Sequence, residues 1–437
     1  MWRRVRAADA EVMQQRAAAA LRERGLRAGD RVAVAADSSP AVLCTMLGAL
    51  RAGIVPVPLN PALLVDEQAA LLADADPALV LRHADVEVLL ATTDERAELA
   101  AAPLARPMHY TSGTTGRPKG VWSGVLDDVA ATALLAEERD LWGFDPADVL
   151  LVCSPLHHSA PLRLAAGTLL AGGEVIILDR FDAAVVLDVI AQERPTAMFC
   201  VPTHLRRLFA REDHPALTSF RLVAHAGEPC PQPLKLAAIE SFPRGSVWEF
   251  YGSTEGQFTA CSSDEWLERP GTVGRARPNR SLSVDGDGAI WCEVPGYARF
   301  EYWRDAARTA AAWRGAAFTV GDLGRLDAEG YLFLDGRRDD LVISGGVNVY
   351  PAEVEQAIAL IPGVVAAAVF GVDDDRWGQR VCAAVVGAVS PSEVAAHCRD
   401  RLAPYKCPKD VFVVPELPTT SAGKLKRSAV ASTLGLV

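Results

Sequence analysis

The chain has 437 residues, half of them apolar and 23% charged, with a formal net charge of −11. That length predicts more than one compact core, on the order of two to three domains. The acidic balance argues against a nucleic-acid partner or an anionic membrane surface, since either would call for a basic patch that pairs such as Arg3-Arg4 and Arg206-Arg207 do not supply.

Met1-Trp2-Arg3-Arg4-Val5-Arg6 leads into no apolar run, so no secretory signal is expected. The Ala-, Leu- and Arg-rich stretch from Glu11 to Arg24 predicts a helix. Gly25 and Gly29-Asp30 punctuate, and Arg31 to Ala35 reads as a short buried strand. Strands are then expected at Val149–Cys153, Glu174–Leu178, Thr196–Val201, Arg221–Ala226 and Val247–Tyr251. Helical patterns separate them, the sign of parallel strands covered by helices. From Gly271 to Val320, Gly, Pro and short apolar pieces predict antiparallel strands and turns. The segment from Asp340 carries strands at Val364–Phe370, Val381–Val386 and Val411–Val414 and helices at Ala352–Leu360 and Ser392–Leu402.

The expected fold is therefore α/β. A large N-terminal domain of βα-layered sheets with a small antiparallel barrel-like region spans 1–338, and a small α+β domain spans 339–437, meeting at Arg338-Asp339. The most apolar run, Val364 to Val372, is about half the length a membrane-spanning helix needs. The nine cysteines, from Cys44 to Cys407, form no C-x-x-C pair, which predicts buried thiols in a reducing cytoplasm and neither a zinc site nor a disulfide framework.

The chemistry starts at Tyr110-Thr-Ser-Gly-Thr-Thr-Gly-Arg-Pro-Lys-Gly120. Glycines 113, 116 and 120 let backbone N–H groups turn toward one anion, and Thr111, Ser112, Thr114, Thr115 and Lys119 add hydroxyls and charge. It is not a Walker loop, because Arg117 and Pro118 separate Gly116 from Lys119 and Gly120 stands where Ser or Thr belongs. The plain alternative is a Gly/Ser/Thr linker, and the Pro-Lys-Gly ending between apolar segments disfavours it.

This stretch resembles the signature loop of the adenylate-forming superfamily, which includes acyl- and aryl-CoA synthetases, adenylation domains and firefly-type luciferases. Four further motifs follow in the family's order. Glu249-Phe-Tyr-Gly-Ser-Thr-Glu255 ends a predicted strand. By resemblance Tyr251 stacks on adenine, Gly252 adjoins it, Thr254 contacts the α-phosphate, and Glu255, with Thr114, holds Mg²⁺. Gly227 and Glu228 also fall to the nucleotide. Phe318-Thr-Val-Gly-Asp322 leads to Gly336-Arg-Arg-Asp-Asp340, which assigns the ribose hydroxyls to Asp322 and Arg337. Leu341-Val-Ile-Ser-Gly-Gly-Val-Asn-Val-Tyr-Pro-Ala-Glu-Val-Glu355 looks like the hinge and thiol-tunnel segment, with Asp339 as hinge and Gly345 and Gly346 beside the pantetheine arm. A turn before a helix with Pro351 at its first position is compatible with both. Leu417-Pro-Thr-Thr-Ser-Ala-Gly-Lys424 places the family's catalytic lysine at Lys424. Read alone, that lysine would be solvated surface.

Pro155-Leu-His-His158 resembles the mouth of the acyl pocket, with His158 as gate or carboxylate-polarising group; the competing reading is a His–His pair capping a helix. Other expected walls are Leu162, Val201, Pro202, His225, Gly227, Phe250 and Phe258, neutral or apolar throughout. Phe181-Asp182 looks like an amino-acid-binding motif but falls too far downstream, so an acyl or aryl acid is expected and an amino acid is not.

The resemblance spans about Arg16 to Lys426 and implies a ligase using ATP, Mg²⁺ and coenzyme A. A carboxylic acid would attack the α-phosphate, and the C-terminal domain would then swing as a mobile lid to admit a thiol. The acceptor is coenzyme A or an acyl carrier protein, and a homodimer is possible within the family. A degenerate nucleotide-binding partner protein is the reading from another class, and the complete set Thr254, Glu255, Asp322, Arg337 and Lys424 speaks against it. Two departures stand out. The usual strands before the first helix are not evident, and Val121-Trp122-Ser123 replaces the family's Thr/Ser-His pair.

Overall fold

The structure is a computed structural model and describes residues 2–111, 118–211, 215–337, 340–344, 347–374, 376–419 and 425–436. The expected strands at Arg31–Ala35 and Glu174–Leu178 form with those limits, and the other strands expected between 149 and 251 form within one or two residues of theirs. Those between 149 and 252 belong to one 8-stranded sheet. Its parallel centre runs Glu174–Leu178, Val149–Val152, Ala197–Cys200, Leu222–His225, Val247–Gly252. Antiparallel strands close both edges: Trp2–Arg6 on one, Gln257–Ser262 and Arg275–Ala276 on the other.

Trp2–Arg6 corrects the expectation that no strand precedes the first helix. Its Arg-rich sequence hides it, because Val5 alone of its residues is buried while Arg3 and Arg4 pair outward with Asp179, Glu174 and Glu193. The helix it feeds starts earlier than the sequence suggested, spanning Ala7–Glu23.

A second, three-stranded parallel sheet has Arg31–Ala35 at its centre, flanked by Val55–Pro58 and Leu79–Arg82. Helices Ala7–Glu23 and Pro40–Arg51 fill the space toward the large sheet, sharing one core with Val152, Val175 and Phe199. Ser39 caps the second of them, accepting from the Val42 N–H at 3.1 Å, and Pro40 follows at its first position. The helices cross so closely that a Cβ on Gly48 would stand 2.4 Å from the Gln14 carbonyl oxygen. Gly48 is thus what permits the close helix contact here.

The segment from Gly271 to Val320 forms short antiparallel strands as expected, in a four-stranded sheet of Ser281–Val284, Ile290–Glu293, Ala317–Phe318 and Trp313–Arg314. Hairpin Asp322–Leu326/Leu332–Arg337 follows it. Beyond it, Val364–Asp374, Gly378–Gly387 and Asp410–Val413 form a sheet with helices Pro351–Ala359 and Pro391–Arg401 and a core of their own. The boundary expected at Arg338-Asp339 lies outside the described residues. Among the described residues no helix is long and apolar enough to cross a membrane, and the apolar run from Val364 is a strand.

Candidate active site

Strands His109–Thr111 and Lys119–Trp122 pair antiparallel with Thr111 opposite Lys119, so the two ends of the glycine-rich loop stand side by side. Ser112, Gly113, Thr114, Thr115 and Gly116 lie outside the described residues. Glu301–Tyr302 pairs with the other edge of Lys119–Trp122. The Lys119 ammonium sits 5.1 Å from the Tyr302 ring centroid, and the Tyr302 hydroxyl donates to Glu255 Oε1 at 2.9 Å. The end of the loop and the buried Glu255 carboxylate, far apart in sequence, thus flank one aromatic ring.

Glu255 follows the strand Val247–Gly252, whose register slips between Tyr251 and Gly252 where it enters a tight turn; the Ser253 N–H donates to the Gly256 carbonyl at 2.8 Å. Tyr251 Oη donates to Asp322 Oδ2 at 2.5 Å, and Arg337 Nε lies 3.1 Å from Oδ1. Asp322 and Arg337 are direct partners in their hairpin, which explains how a spacing of fifteen residues brings them together. Burial raises the Asp322 pKa, and Arg337 pulls against it. The negative field of Glu255 reaches both, so the two groups of residues form one site. Gly227, at φ 96°, turns the chain after Leu222–His225, and the Glu228 carboxylate accepts from the Thr203 N–H at 2.5 Å. Thr254 is half-buried beside Glu255.

His158 takes the N-cap position of helix Ser159–Leu170, but its side chain makes no capping bond, which removes the capping alternative. Its ring lies 4.4 Å from that of His157. His109 Nδ1 meets the His157 carbonyl at 3.1 Å, and the His204 ring stacks on Phe181 at 3.9 Å. His109 and His204 were missed in the sequence because isolated histidines carry no pattern; only adjacency to the loop and to Pro202 could have flagged them. Asp182 caps helix Ala183–Glu193 through the Ala184 and Val185 N–H groups, so it binds backbone. Val201, half-buried, follows strand Ala197–Cys200, and Phe250, buried, lies within Val247–Gly252.

Burial holds His109 down to about 3 and His157 and His204 down to about 4, leaving neutral rings at neutral pH. The unfolded chain therefore takes up protons near pH 6.5 that the folded chain refuses. Stability falls as pH drops from about 6.5 toward 4, each histidine contributing up to about 1.4 kcal/mol per pH unit. Carboxylates held low, such as Glu138 at about 2, act only further down the scale. Urea unfolding at pH 7 and pH 5 is expected to show the loss; a flat profile across that interval would contradict it.

His225 and Phe258 were expected as acyl-pocket walls. Both are 0% exposed, so they stand one layer behind the surface. Phe258 packs on Tyr251 and Phe318. His225 Nε2 lies 2.5 Å from Lys235 Nζ, which also meets Glu249 Oε2 at 3.1 Å. Since His225 pairs with Glu249 across adjacent parallel strands, Lys235 ties together the strands leading to Gly227 and to Tyr251. Lysine 235 is itself 1% exposed and reads in sequence as an ordinary helix-surface residue. Lys235→Met leaves Glu249 buried without a cation and is expected to cost about 3 kcal/mol or more, whereas pairing it with Glu249→Leu restores most of the loss. Urea unfolding followed by tryptophan fluorescence measures both; a double variant no better than the single one would refute the brace.

Gly345, Gly346, Asp339 and Lys424 lie outside the described residues, but the flanks of the lysine loop are defined. Thr419 bridges Leu425, and the Lys426 N–H donates to the Pro418 carbonyl at 2.8 Å. Arg427 pairs with Asp340 at 3.2 Å and with Glu355, joining that loop's base to the residue after the expected hinge.

A sequence profile of the family described as AMP-binding enzyme matches residues 2–296, and one of the AMP-binding enzyme C-terminal domain matches 353–424. Feruloyl-CoA synthase of an Amycolatopsis species is 35% identical over 469 residues, covering 96% of this chain and 92% of its own. ATP-bound MatB of Rhodopseudomonas palustris superposes with a TM-score of 0.84 at 31% identity, over 98% of this chain and 93% of the other. The o-succinylbenzoate CoA synthetase of Bacillus subtilis, in complex with its acyl-adenylate intermediate, gives 0.84 at 29% identity over 96% and 92%.

Proposed function

The chain belongs to the AMP-binding enzyme family, and from that membership we propose that it is an ATP-dependent carboxylic acid:CoA ligase working through an acyl-adenylate on an acyl or aryl acid. The observation that carries the reading is the convergence of Tyr251, Asp322 and Arg337 with the Lys119–Tyr302–Glu255 group. Adenine stacks on Tyr251, while Asp322 accepts from the ribose hydroxyls through Oδ1, which has no hydrogen-bond partner, with Arg337 alongside. The phosphates lie over the loop whose two ends Thr111 and Lys119 define, with Thr254 at the α-phosphate.

Glu255 suits Mg²⁺: it is a buried carboxylate, one oxygen already held by a hydroxyl, beside the phosphate loop. When bound, with Thr114 as a further contact, the ion neutralises phosphate charge. The acid enters past His158, whose helix and the neighbouring Val201 and Phe250 orient it for attack on the α-phosphorus. Lys424 neutralises the charge that develops there. The domain at 339–437 then turns about Asp339, withdraws Lys424 and brings Gly345 and Gly346 to the site for thiol attack on the mixed anhydride, releasing AMP.

Pyrophosphate exchange dependent on carboxylate, run over aliphatic, alicyclic and aromatic acids, tests the first half-reaction. Adding coenzyme A or a phosphopantetheinylated carrier protein identifies the acceptor. Exchange without any acid dependence would sink the proposal, and thioester on the carrier protein alone would replace coenzyme A as acceptor.

A further inference from the structure

Tyr302 joins two parts of the candidate site, and its place is fixed from outside that site. Its strand, Glu301–Tyr302, pairs with Lys119–Trp122 so that Tyr302 stands opposite Val121, and the Trp303 N–H donates to the Gly120 carbonyl at 2.8 Å. The Tyr302 N–H donates to Thr309 Oγ1 at 2.9 Å, and its carbonyl accepts from the Asp305 N–H at 3.1 Å. The side chain is buried, edge-on to Phe300 with ring centroids 5.4 Å apart, in a core shared with Phe258 and Phe318. That packing requires an aromatic ring and has no use for a hydroxyl, which loses its hydration there unless it finds an acceptor. The acceptor is Glu255 Oε1, at 2.9 Å.

Glu255 is buried in the turn after Val247–Gly252, outside the strand pairing on either side. Among the described residues, the Tyr302 hydroxyl is the one hydrogen-bond donor to its carboxylate. The strand at the loop exit therefore sets the direction of a side chain that its own backbone leaves free to rotate. We infer that Tyr302 is a positioning residue for metal binding: its hydroxyl holds Oε1, which leaves Oε2 to meet the cation beside the exit of the phosphate loop. The inference rests on the assignment of Mg²⁺ to Glu255 and adds the residue that prepares it. A carboxylate oriented beforehand gives up less freedom when the ion arrives, and loss of such an outer partner costs about 10- to 100-fold in metal affinity. The same ring lies 5.1 Å from Lys119 Nζ, so a phenylalanine in its place keeps the cation contact and removes only the hydroxyl.

The test is a titration with Mn²⁺, followed by electron paramagnetic resonance, in the presence of α,β-methylene-ATP, which cannot release pyrophosphate. Tyr302→Phe is expected to weaken Mn²⁺ binding by about 10-fold. Binding of the same nucleotide in EDTA, read by tryptophan fluorescence, should stay unchanged. In pyrophosphate exchange the Mg²⁺ concentration giving half the maximal rate should rise by a similar factor, and saturating Mg²⁺ should restore kcat. A loss of nucleotide binding in EDTA, or a kcat that saturating Mg²⁺ does not restore, marks general damage to the site and overturns the positioning role. Glu255→Gln separates the two levels of the argument. Weakened Mn²⁺ binding there, with unchanged binding in Tyr302→Phe, removes the role of Tyr302 alone, whereas unchanged binding in both removes the metal assignment as well.

Discussion

Lys424→Ala is expected to slow acyl-adenylate formation by about 10³-fold while leaving thioester formation from a synthetic acyl-adenylate within a small factor of the wild-type rate. The asymmetry follows from where charge develops. Attack on the α-phosphorus gathers negative charge on phosphate oxygens, and an ammonium in a site shielded from water offsets it strongly. In the proposed scheme, thiol attack on the adenylate follows the turn of the lid, with the lysine withdrawn. The base of the lysine loop is pinned at Thr419–Leu425 and, through Arg427, to Asp340 and Glu355. Truncating the Lys424 side chain leaves these pinning contacts in place, and the domain with them. Single-turnover measurements of the two half-reactions separate these effects. Equal loss in both would remove the two-conformation scheme.

The parts of this site that were legible in the sequence are those whose function requires a local run of special residues. Glycines and hydroxyls crowd the stretch from Tyr110 to Gly120 because an anion must be approached by backbone, and Glu249 to Glu255 is compact because one strand end delivers several groups. The large parallel sheet was equally plain, since buried central strands are short apolar runs between helical patterns. Groups that act through long-range pairing left no such trace. Arg163, Glu138 and Arg277 are each ordinary surface residues by composition, and only folding brings them into one buried cluster. Lys235 is hidden for the same reason: its partners His225 and Glu249 lie on other elements. His225 and Phe258 were placed one layer too far forward because sequence adjacency to Gly227 and Tyr251 cannot tell which side of a strand faces the substrate. The edge strand Trp2–Arg6 failed to register because one buried residue in five is too weak an alternation.

Asp322→Ala is expected to raise KM for ATP by about 100-fold and to lower kcat far less, because the ribose contact is present both before and during phosphoryl attack. The structure makes the loss larger than one hydrogen bond. Asp322 receives the Tyr251 hydroxyl and faces Arg337, so its removal takes away the nearest partner of that guanidinium and frees the ring on which adenine is proposed to rest. A sugar-specific readout separates recognition from general damage. The wild-type chain should discriminate strongly against ATP lacking its ribose hydroxyls, since the buried Oδ1 then keeps only its ion pair with Arg337 and accepts no hydrogen bond, whereas the variant should treat the two nucleotides alike. Acid should mimic the substitution. Because burial raises the Asp322 pKa, the carboxyl gains its proton at a pH where an exposed aspartate is still ionised, and KM for ATP climbs on the acid side of neutrality. In Asp322→Asn, which has no proton to gain, that climb should disappear while the elevated KM remains. An acid limb that persists unchanged in Asp322→Asn would assign it to another group, and undiminished discrimination in Asp322→Ala would move the ribose elsewhere.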